Sequence, residues 1–352
     1  MADHRLTRTT NAAPCRRRRQ FCAGVAGLGT LLGGVPAARA LTTSQARVGT
    51  ASPIRMVRLA VSGSAYGFAL AWAAAIDRAT GPTPGGPLRL EVLGSVDPGE
   101  SIEQVRLGRA ELAIVDGLQA QGLDEREFRL VATLWDAVAH WLLRSDRVIE
   151  GRIDDLAALS PTSMVALGDR SVSPSLLETL GLGLEGRVRT TLQSATGAVQ
   201  ALNDGAVVAW GLSGTPPIPA VSRLFAQFPA TARLLRLMPE HAARLGGHDA
   251  AWRVARLPGG IYPGVGRDVP TAAYPVVAVA TREVPPQTVG RILESLFRHL
   301  HALRAIHPGA RAITQRTLLR VRPVPVHEGT KRFLDEQGLG RLVPRAGGNP
   351  GG

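Results

Sequence analysis

A strand, a short turn and a helix follow one another near the start of the chain, and the same order returns later. Residues 57–61 predict a strand, residues 62–64 read Ser-Gly-Ser, and an alanine-rich helix is predicted to run to about Arg78. A second copy begins with the predicted strand at residues 165–167. Units of this kind are the usual start of an α/β domain, so the sequence predicts an α/β fold.

The turns of these units carry the first predicted ligand contacts. In the opening turn these are Ser62 and Ser64, with Ser64 as the predicted helix N-cap. In the second copy Ser173 is the predicted N-cap, followed by a proline at the first helical position. A third turn, again at the end of a predicted strand, adds Gly214 and Thr215. Free N–H groups at a helix start attract anions, so these turns suit a small anionic ligand.

The segment between the two copies adds three candidate residues. Ser101 and Gln104 fit a capping box, in which Ser101 caps the helix and the Gln104 side chain reaches back to it. Either the two side chains satisfy only each other, or the capped helix end also faces a ligand. Asp116 follows a short predicted strand. Residues 128–143 are almost continuously apolar, which predicts a buried strand crossing the sheet.

The first forty residues have the pattern of an export signal. A basic run at residues 16–19 precedes an apolar run at 21–35, and an A-x-A site ends at Ala40. The apolar run is too short to span a bilayer, although a short membrane anchor is the alternative. The last two arginines of the basic run, followed by Gln-Phe, indicate the twin-arginine route. We therefore expect cleavage after Ala40, a linker at residues 41–55, and a periplasmic protein.

Charge and cysteine content exclude several functions. Residues 1–40 hold seven arginines and one aspartate, so their removal lowers the net charge from +13 to +7. The arginines are scattered, Lys331 is the one lysine, and aromatic residues make up 4% of the chain. Nucleic-acid binding, which uses a basic stripe and stacking aromatics, is therefore not expected. Both cysteines, Cys15 and Cys22, lie in the signal, so no thiolate metal site is predicted. The eight histidines show no metal-ligand spacing, and no other metal site and no cofactor is predicted.

An exported hydrolase is the enzymatic alternative. His327 would be its general base, assembled with a serine and an aspartate only in three dimensions. No G-x-S-x-G elbow or P-loop is present, and the setting of His327 is rich in proline. We therefore interpret His327 as a residue that fastens the C-terminal helix, and we predict no catalytic residue.

Two motifs point to a known family. One is Gly260-Ile261-Tyr262-Pro263-Gly264, and the other is the run P-V-P-V-H-E-G-T that begins at Pro323. Together with the signal and the strand-end turns, they resemble the TAXI family of solute-binding proteins. These are the extracytoplasmic subunits of one class of tripartite ATP-independent periplasmic (TRAP) transporters. The likeness extends over residues 56–338, with weaker matches at residues 99–116, 168–173 and 214–216.

The resemblance implies a type II periplasmic-binding fold, in which two α/β lobes close a cleft on a small carboxylate such as glutamate or another dicarboxylate. It also implies a membrane permease as partner, and we expect the protein to be a monomer. A receptor for a sensor or an ABC transporter stays open as an alternative. The chain is expected to cross between lobes twice, which divides it into lobe 1 (56–143 and 275–340), lobe 2 (144–274) and a disordered tail (341–352).

The resemblance also selects site residues. Ser101 and Ser171 coincide with turn serines of the family, and Tyr66 and Tyr262 are the aromatic candidates. Arg170 lies in the turn of the second unit, where a guanidinium could bind a ligand carboxylate bidentately. A solvated surface arginine is the alternative for Arg170.

Overall fold

The computed structural model of the chain describes most residues between 55 and 343, namely 55–63, 65–78, 86–169, 172–248 and 252–343. The predicted signal, nearly all of the predicted linker and the end of the predicted tail lie outside these residues. So do three predicted site residues: Ser64, Arg170 and Ser171. The described residues belong to one compact unit, Ala51–Gly352.

Ten strands of the described residues form one sheet, in the order β2-β1-β3-β10-β4-β7-β5-β6, with β8 beside β4 and β9 beside β10. The strands are β1 (Arg55–Val61), β2 (Leu88–Gly94), β3 (Leu112–Asp116), β4 (Phe128–Arg144), β5 (Met164–Leu167), β6 (Arg189–Leu192), β7 (Ala209–Gly214), β8 (Ala232–Leu234), β9 (Arg253–Leu257) and β10 (Val269–Thr281).

Helices connect the strands and cover the sheet. They are α1 (Ala65–Arg78), α2 (Pro98–Arg106), α3 (Gly117–Gln121), α4 (Val172–Thr179), α5 (Ala195–Asp204), α6 (Pro219–Gln227), α7 (Pro239–His248), α8 (Pro286–Ile306) and α9 (Glu328–Glu336). Among the helices of the described residues, none has both the length and the apolar character needed to cross a membrane.

The sheet consists of two halves that share two long strands. β4 and β10 are antiparallel neighbours in the middle, 17 and 13 residues long. On one side of this pair β1 runs parallel to β2 and β3, and on the other side β5 runs parallel to β6 and β7. This arrangement confirms the predicted fold class, an α/β chain with two lobes. It also confirms the opening unit, as β1 and α1, and the buried crossing strand, as β4.

The apolar core is arranged around the two shared strands. The larger cluster includes Phe68 of α1 and Trp135 of β4, whose ring centroids are 4.8 Å apart. A second cluster lies in the second half and includes Trp210 of β7 and Leu224 of α6. β4 contributes residues to both clusters, because successive side chains of a strand point to opposite faces. The central strands are therefore held on both faces by apolar contacts.

The capping box predicted for Ser101 and Gln104 is wrong. α2 begins one turn earlier, where Asp97 is the N-cap and its carboxylate accepts the Glu100 N–H at 2.9 Å. Pro98 then occupies the first helical position, for which its fixed φ is suited. Ser101 is fully buried, and its hydroxyl donates to the Asp97 carbonyl at 3.5 Å.

The predicted start of α4 is also wrong. Val172 is already helical, and Ser173 is not the cap. The carboxylate of Asp169 accepts both the Ser173 N–H at 2.9 Å and the Ser173 O–H at 2.8 Å. The two oxygens of the carboxylate have the acceptor capacity for both bonds. At α5, in contrast, a serine is the cap: the Ser194 hydroxyl accepts the Gly197 N–H at 3.1 Å.

Candidate ligand-binding cleft

The carboxyl ends of the parallel strands of both halves meet at the central pair. At the end of β3, Asp116 lies opposite Val276 of β10, and Val276 in turn faces Trp135 of β4. At the end of β7, Gly214 lies opposite Val138, three residues further along β4. In open α/β sheets ligands bind outside the carboxyl ends of the strands. We call this region the strand-end cleft.

The first half contributes residues from three strand ends. Ser62 follows β1 and is half-buried. Tyr66, in the first turn of α1, is 39% exposed, and its ring lies against Gly94 at the end of β2. Ser95 follows β2, and its buried hydroxyl has no hydrogen-bond partner among the residues that the structure describes. Two predicted residues, Ser62 and Tyr66, therefore lie at the strand ends, as expected of cleft residues.

Asp116 is a buried carboxylate of the first half. Its side chain is 7% exposed, and it caps α3 by accepting the Gln119 N–H at 2.8 Å. Burial raises the pKa of Asp116 to about 6; the bond from Gln119 opposes the shift and the nearby negative charge of Asp169 adds to it. Gly117 follows, where a Cβ would overlap the ring of Pro275. Glycine at this turn therefore lets Asp116 lie directly against β10.

The second half contributes Asp169, Ser173, Ser213, Gly214 and Thr215. Asp169 follows β5 and is half-buried, while Ser173, which donates to it, is buried. The hydroxyl oxygens of Ser213 and Thr215 at the end of β7 are both buried; within the described residues that of Thr215 has no hydrogen-bond partner, whereas the Ser213 hydroxyl interacts with the Tyr274 side chain. Burying a hydroxyl without a partner costs free energy, so Thr215 is in the state expected of a site that a ligand completes.

Two buried aromatic residues, Tyr274 and Trp252, lie at the central strands. Tyr274 of β10 faces Ala137 of β4 and is 7% exposed. Burial raises the pKa of Tyr274 well above its ordinary value; the charges of Asp116 and Asp169 add to this shift, and the neighbouring hydroxyl of Ser213 opposes it. The Trp252 ring meets the Tyr274 ring edge-on, with centroids 5.4 Å apart and planes at 80°. Tyr274 is thus within electrostatic reach of carboxylates from both halves.

A second carboxylate cluster lies beside Pro275 of β10, one residue from the position opposite Asp116. Because neighbouring residues of a strand point to opposite faces, it lies on the other face of the sheet. Asp136 of β4 pairs with Pro275, the residue before Val276. It binds Arg253 of β9 and also Arg320, whose two terminal nitrogens lie 2.6 and 2.9 Å from the carboxylate oxygens. All three charged side chains are about one-third exposed. The Asp136 cluster, defined by these three residues, is therefore an ion-paired site.

Three predicted or considered residues lie elsewhere. Tyr262 is 1% exposed; its hydroxyl lies 2.8 Å from His140 Nε2 and accepts the Ile218 N–H at 3.0 Å, so it belongs to the core of the second half. Ser101 is buried beneath α2, and Gln104 lies half-buried further along the same helix.

His327, the base of the hydrolase alternative, has a structural contact. It is 1% exposed, and its Nδ1 accepts the Gly329 N–H at 3.0 Å, which makes it the N-cap of α9. Burial lowers its pKa. In the described residues its Nε2 has no hydrogen-bond partner. This geometry agrees with the interpretation that His327 fastens the last helix.

Sequence reasoning missed Asp169, Ser213, Tyr274, Trp252 and Ser95. Asp169 had a detectable signal, because Asp116 and Asp169 both stand at the end of a parallel strand and both accept an N–H of the helix that follows. The adjacent Arg170 was selected instead. Tyr274 and Trp252 gave no local signal, since their placement depends on the register of β10 with β4 and β9.

Comparisons with known proteins complete this description. A family model described as NMT1-like family matches residues 63–338. Comparison with curated proteins gives no match. Among solved structures, the chain is similar to a protein from Bordetella bronchiseptica RB50 (15% identity, 80% of this chain and 98% of that chain, TM-score 0.48). It is also similar to the periplasmic aliphatic sulphonate binding protein SsuA from Escherichia coli (16% identity, 84% of this chain and 95% of that chain, TM-score 0.44). A third similar structure is the GluR0 ligand-binding core in complex with L-glutamate (11% identity, 72% of this chain and 98% of that chain, TM-score 0.43).

Proposed function

Because this chain belongs to the NMT1-like family, we propose that it is an exported solute-binding protein that captures a small molecule in the strand-end cleft. More specifically, we propose the extracytoplasmic subunit of a TAXI-type TRAP transporter, which delivers its ligand to a membrane permease. The observation that carries the proposal is the meeting of strand ends from both halves at β4 and β10, with buried polar groups that lack partners.

We propose that β4 and β10 are the hinge of this protein. Residues 56–143 with 275–340 would form one lobe and residues 144–274 the other, joined by the two shared strands. Two crossings permit hinge closure around a ligand. Asp116 and Ser62 would then contribute from one lobe, and Asp169 and Thr215 from the other.

The proposed ligand is a small organic carboxylate of the glutamate or dicarboxylate type. The support is the sequence resemblance and the helix starts at the cleft. Arg170 and Ser171 are proposed contacts from the turn after β5. Two lobes that close on a ligand make a binding site without requiring any covalent step, so we propose binding and no catalysis.

A thermal-shift screen with amino acids, dicarboxylates and keto acids tests this function. A ligand present at 100 times its dissociation constant should stabilise the folded protein by about 2.7 kcal/mol. The same compound should lower the radius of gyration in solution scattering, because the lobes close, and it should be recovered unchanged after incubation.

Three results would contradict the proposal. If no compound stabilises the protein, the proposed binding function is contradicted. Chemical conversion of the hit would favour the hydrolase. An unchanged radius of gyration at saturating ligand would contradict the proposed hinge. The neighbouring genes test the partner: a multi-span permease gene favours the TRAP system, and a sensor or ABC system there favours the receptor alternative.

A further inference from the structure

We propose that the second half has a separate binding site for a small organic anion with two or more negative charges. The site is a cavity of about 820 Å³ beside β8 and the loop that joins β9 to β10. Three arginines, Arg233, Arg236 and Arg267, line it together with apolar side chains. We call it the arginine cavity. The inference goes beyond the proposed function and does not depend on it.

The arginine cavity lies at a distance from the strand-end cleft. Leu234 of β8, which lines the cavity, is opposite Leu142 of β4, whereas Gly214 at the cleft is opposite Val138. Four residues along a strand span roughly 13 Å. The cavity and the cleft are therefore separate places in the same half.

The first argument is the balance of charge around the cavity. Two acidic residues also line it, but each pairs with an arginine outside the lining: Glu150 with Arg152 at 2.7 Å, and Asp268 with Arg256 at 3.5 Å. Within the described residues, none of the three lining arginines makes an ion pair. The charge that lines the cavity is therefore net positive.

The rest of the chain supplies little charge of the opposite sign. Outside the described ranges the sequence has two acidic side chains, Asp3 in the predicted signal and Asp249. A ligand is therefore the natural source of negative charge for this cavity.

The second argument is that hydrogen bonds hold the walls of the cavity in place. In the wall at residues 148–151, three successive N–H groups, of residues 149 to 151, donate to the buried carboxylate of Asp155 at 2.8 to 3.1 Å. These three donors satisfy the Asp155 charge. Gly151 has a φ of +70°, and a Cβ on it would lie 3.4 Å from Arg236 Nη1. The Arg236 guanidinium therefore lies against this wall.

The wall at residues 263–269 follows a motif that the sequence analysis selected. Tyr262 is fixed in the core by the two hydrogen bonds described above, and the chain then turns at Gly264 with a φ of +75°. Asp268 accepts the Gly259 N–H at 2.9 Å, which joins the two ends of the loop. The motif therefore builds a wall of the arginine cavity, although its tyrosine lies in the core.

The lining also indicates the class of ligand. Guanidinium groups bind phosphate and carboxylate oxygens bidentately, so unpaired arginines favour a multiply charged anion. Phe225, Leu234 and Val269 give part of the lining an apolar surface, which suits a ligand with an apolar group. Pockets for small molecules measure about 300–1,000 Å³, a range that includes this cavity. An organic phosphate and a polycarboxylate share this chemistry, and the experiment distinguishes them.

The experiment compares compounds that carry the same ring and different charges. The mature protein is titrated by calorimetry at neutral pH with phenyl phosphate, benzoate and phenol. A phosphate monoester carries about 1.5 to 2 negative charges at this pH, so we expect phenyl phosphate to bind at least ten times more tightly than benzoate, and phenol not to bind. Equal binding of phenyl phosphate and benzoate would overturn the proposal. Tricarballylate, a tricarboxylate, is the second arm: binding as tight as that of phenyl phosphate assigns the site to polycarboxylates as well, and weaker binding assigns it to phosphates.

Single substitutions locate the effect. Arg233→Gln, Arg236→Gln and Arg267→Gln each remove one charge from an exposed side chain, so the fold should be kept. Each should weaken binding of phenyl phosphate about 10-fold, the lower end for a hydrogen bond to a charged group. The matched control is Arg223→Gln, which removes the same charge from an exposed position of α6 that does not line the cavity. It should bind phenyl phosphate like the wild type. Unchanged affinity in all three cavity variants, or an equal loss in the control, would overturn the site.

The outcomes separate this inference from the proposed function. Because Arg236 lies outside the strand-end cleft, Arg236→Gln should bind the hit of the carboxylate screen as the wild type does. If that hit binds and phenyl phosphate does not, the arginine cavity is wrong as a site and the binding function stands. If Arg236→Gln loses both compounds and they compete, the hit occupies the arginine cavity, so the cavity stands and the proposed role of the cleft is wrong.

Discussion

Two carboxylate sites lie beside adjacent residues of β10: Asp136 is opposite Pro275, and Asp116 is opposite Val276. The two sites differ in whether the carboxylate is ion-paired. On one face of the sheet Asp136 binds two arginines, one from β9 and one from the segment before α9. On the other face Asp116 and Asp169 lie near each other with no ion pair in the described residues. Carboxylates are thus ion-paired on one face of the sheet and, within the described residues, not ion-paired on the other.

This difference distinguishes structure from function at the centre of the molecule. A paired carboxylate that links segments of both halves stabilises the arrangement of the central strands. An unpaired one is a cost to the folded state, and such costs are concentrated at functional sites. We therefore interpret the Asp136 cluster as a contact that stabilises the central strands, and the Asp116 side as the face on which binding is proposed.

The largest expected effect comes from breaking the paired site. Asp136→Asn removes the charge that holds Arg253 and Arg320 and leaves two guanidinium groups side by side. Loss of one partner of a buried ion pair costs about 3 to 5 kcal/mol. Because these side chains are about one-third exposed, we expect a loss near 3 kcal/mol in the free energy of unfolding, measured by urea denaturation.

Asp146→Asn is the matched control for this substitution. Asp146 also lies between two arginines, Arg144 and Arg147, but it is exposed at the end of β4. Exposed pairs contribute about 0 to 1 kcal/mol. Equal losses in the two variants would show that the Asp136 cluster is an ordinary surface pair, and would remove the contrast between the two faces.

The sequence predicted the elements better than their ends. β4 and the opening unit were predicted correctly, because apolar runs and helix composition extend over many residues. The starts of α2 and α4 were not, because Asp97 caps α2 in place of Ser101 and because Val172 is already helical, with the Ser173 N–H bonded to the Asp169 carboxylate. A carboxylate or a serine can each cap a helix, so only the actual backbone path decides between them.

The site was predicted in part, for a physical reason. Strand ends can be found locally, which is why Ser62, Asp116 and Thr215 were selected. Tyr274 comes between Asp116 and Asp169 only through the register of β10 with its neighbours and through the approach of the two halves. Such contacts between distant segments have no periodic pattern in one sequence.

The second prediction compares how lowering the pH changes the stability contributed by two buried groups. They are His140, both of whose ring nitrogens are hydrogen-bonded, and Asp116, which has no ion pair in the described residues. Burial lowers the pKa of His140 from 6.5 to about 4, so the folded state loses stability as the pH falls from 6.5 towards 4. Burial raises the pKa of Asp116 from 3.8 to about 6, so the folded state gains stability as the pH falls from 6 towards 3.8. At about 1.4 kcal/mol per pKa unit, each effect is on the order of 3 kcal/mol, and the two largely cancel.

Asp116→Asn removes the stability that the wild type gains as the pH falls. The loss of stability caused by protonation of His140 should therefore become measurable. The titratable groups near Asp116 are the Asp169 carboxylate and the neutral Tyr274 phenol, and both remain in the variant. Between pH 6.5 and 4 the variant should lose about 2 to 3 kcal/mol more than the wild type in urea denaturation. Asp124→Asn, which removes the same charge from an exposed turn, should follow the wild-type profile. Parallel profiles for Asp116→Asn and the wild type would mean that Asp116 is not an uncompensated buried charge.

The smallest expected effect concerns a hydroxyl. The Thr215 oxygen is buried at the end of β7 and has no partner, so Thr215→Val exchanges an unsatisfied polar atom for a methyl group of similar volume. We expect the melting temperature without ligand to stay equal or rise slightly, because no hydrogen bond is lost, with a change below about 1 kcal/mol. Binding of the screening hit should weaken, since a hydrogen bond to a charged ligand group contributes about 1.5–3 kcal/mol. The control is Thr271→Val, whose hydroxyl donates to the Ala139 carbonyl at 2.7 Å on the same central strands and should therefore cost stability without a specific loss of binding. If Thr215→Val destabilises the protein as much as Thr271→Val does and leaves binding unchanged, the Thr215 hydroxyl is structural, and the strand-end cleft loses a contact from its second half.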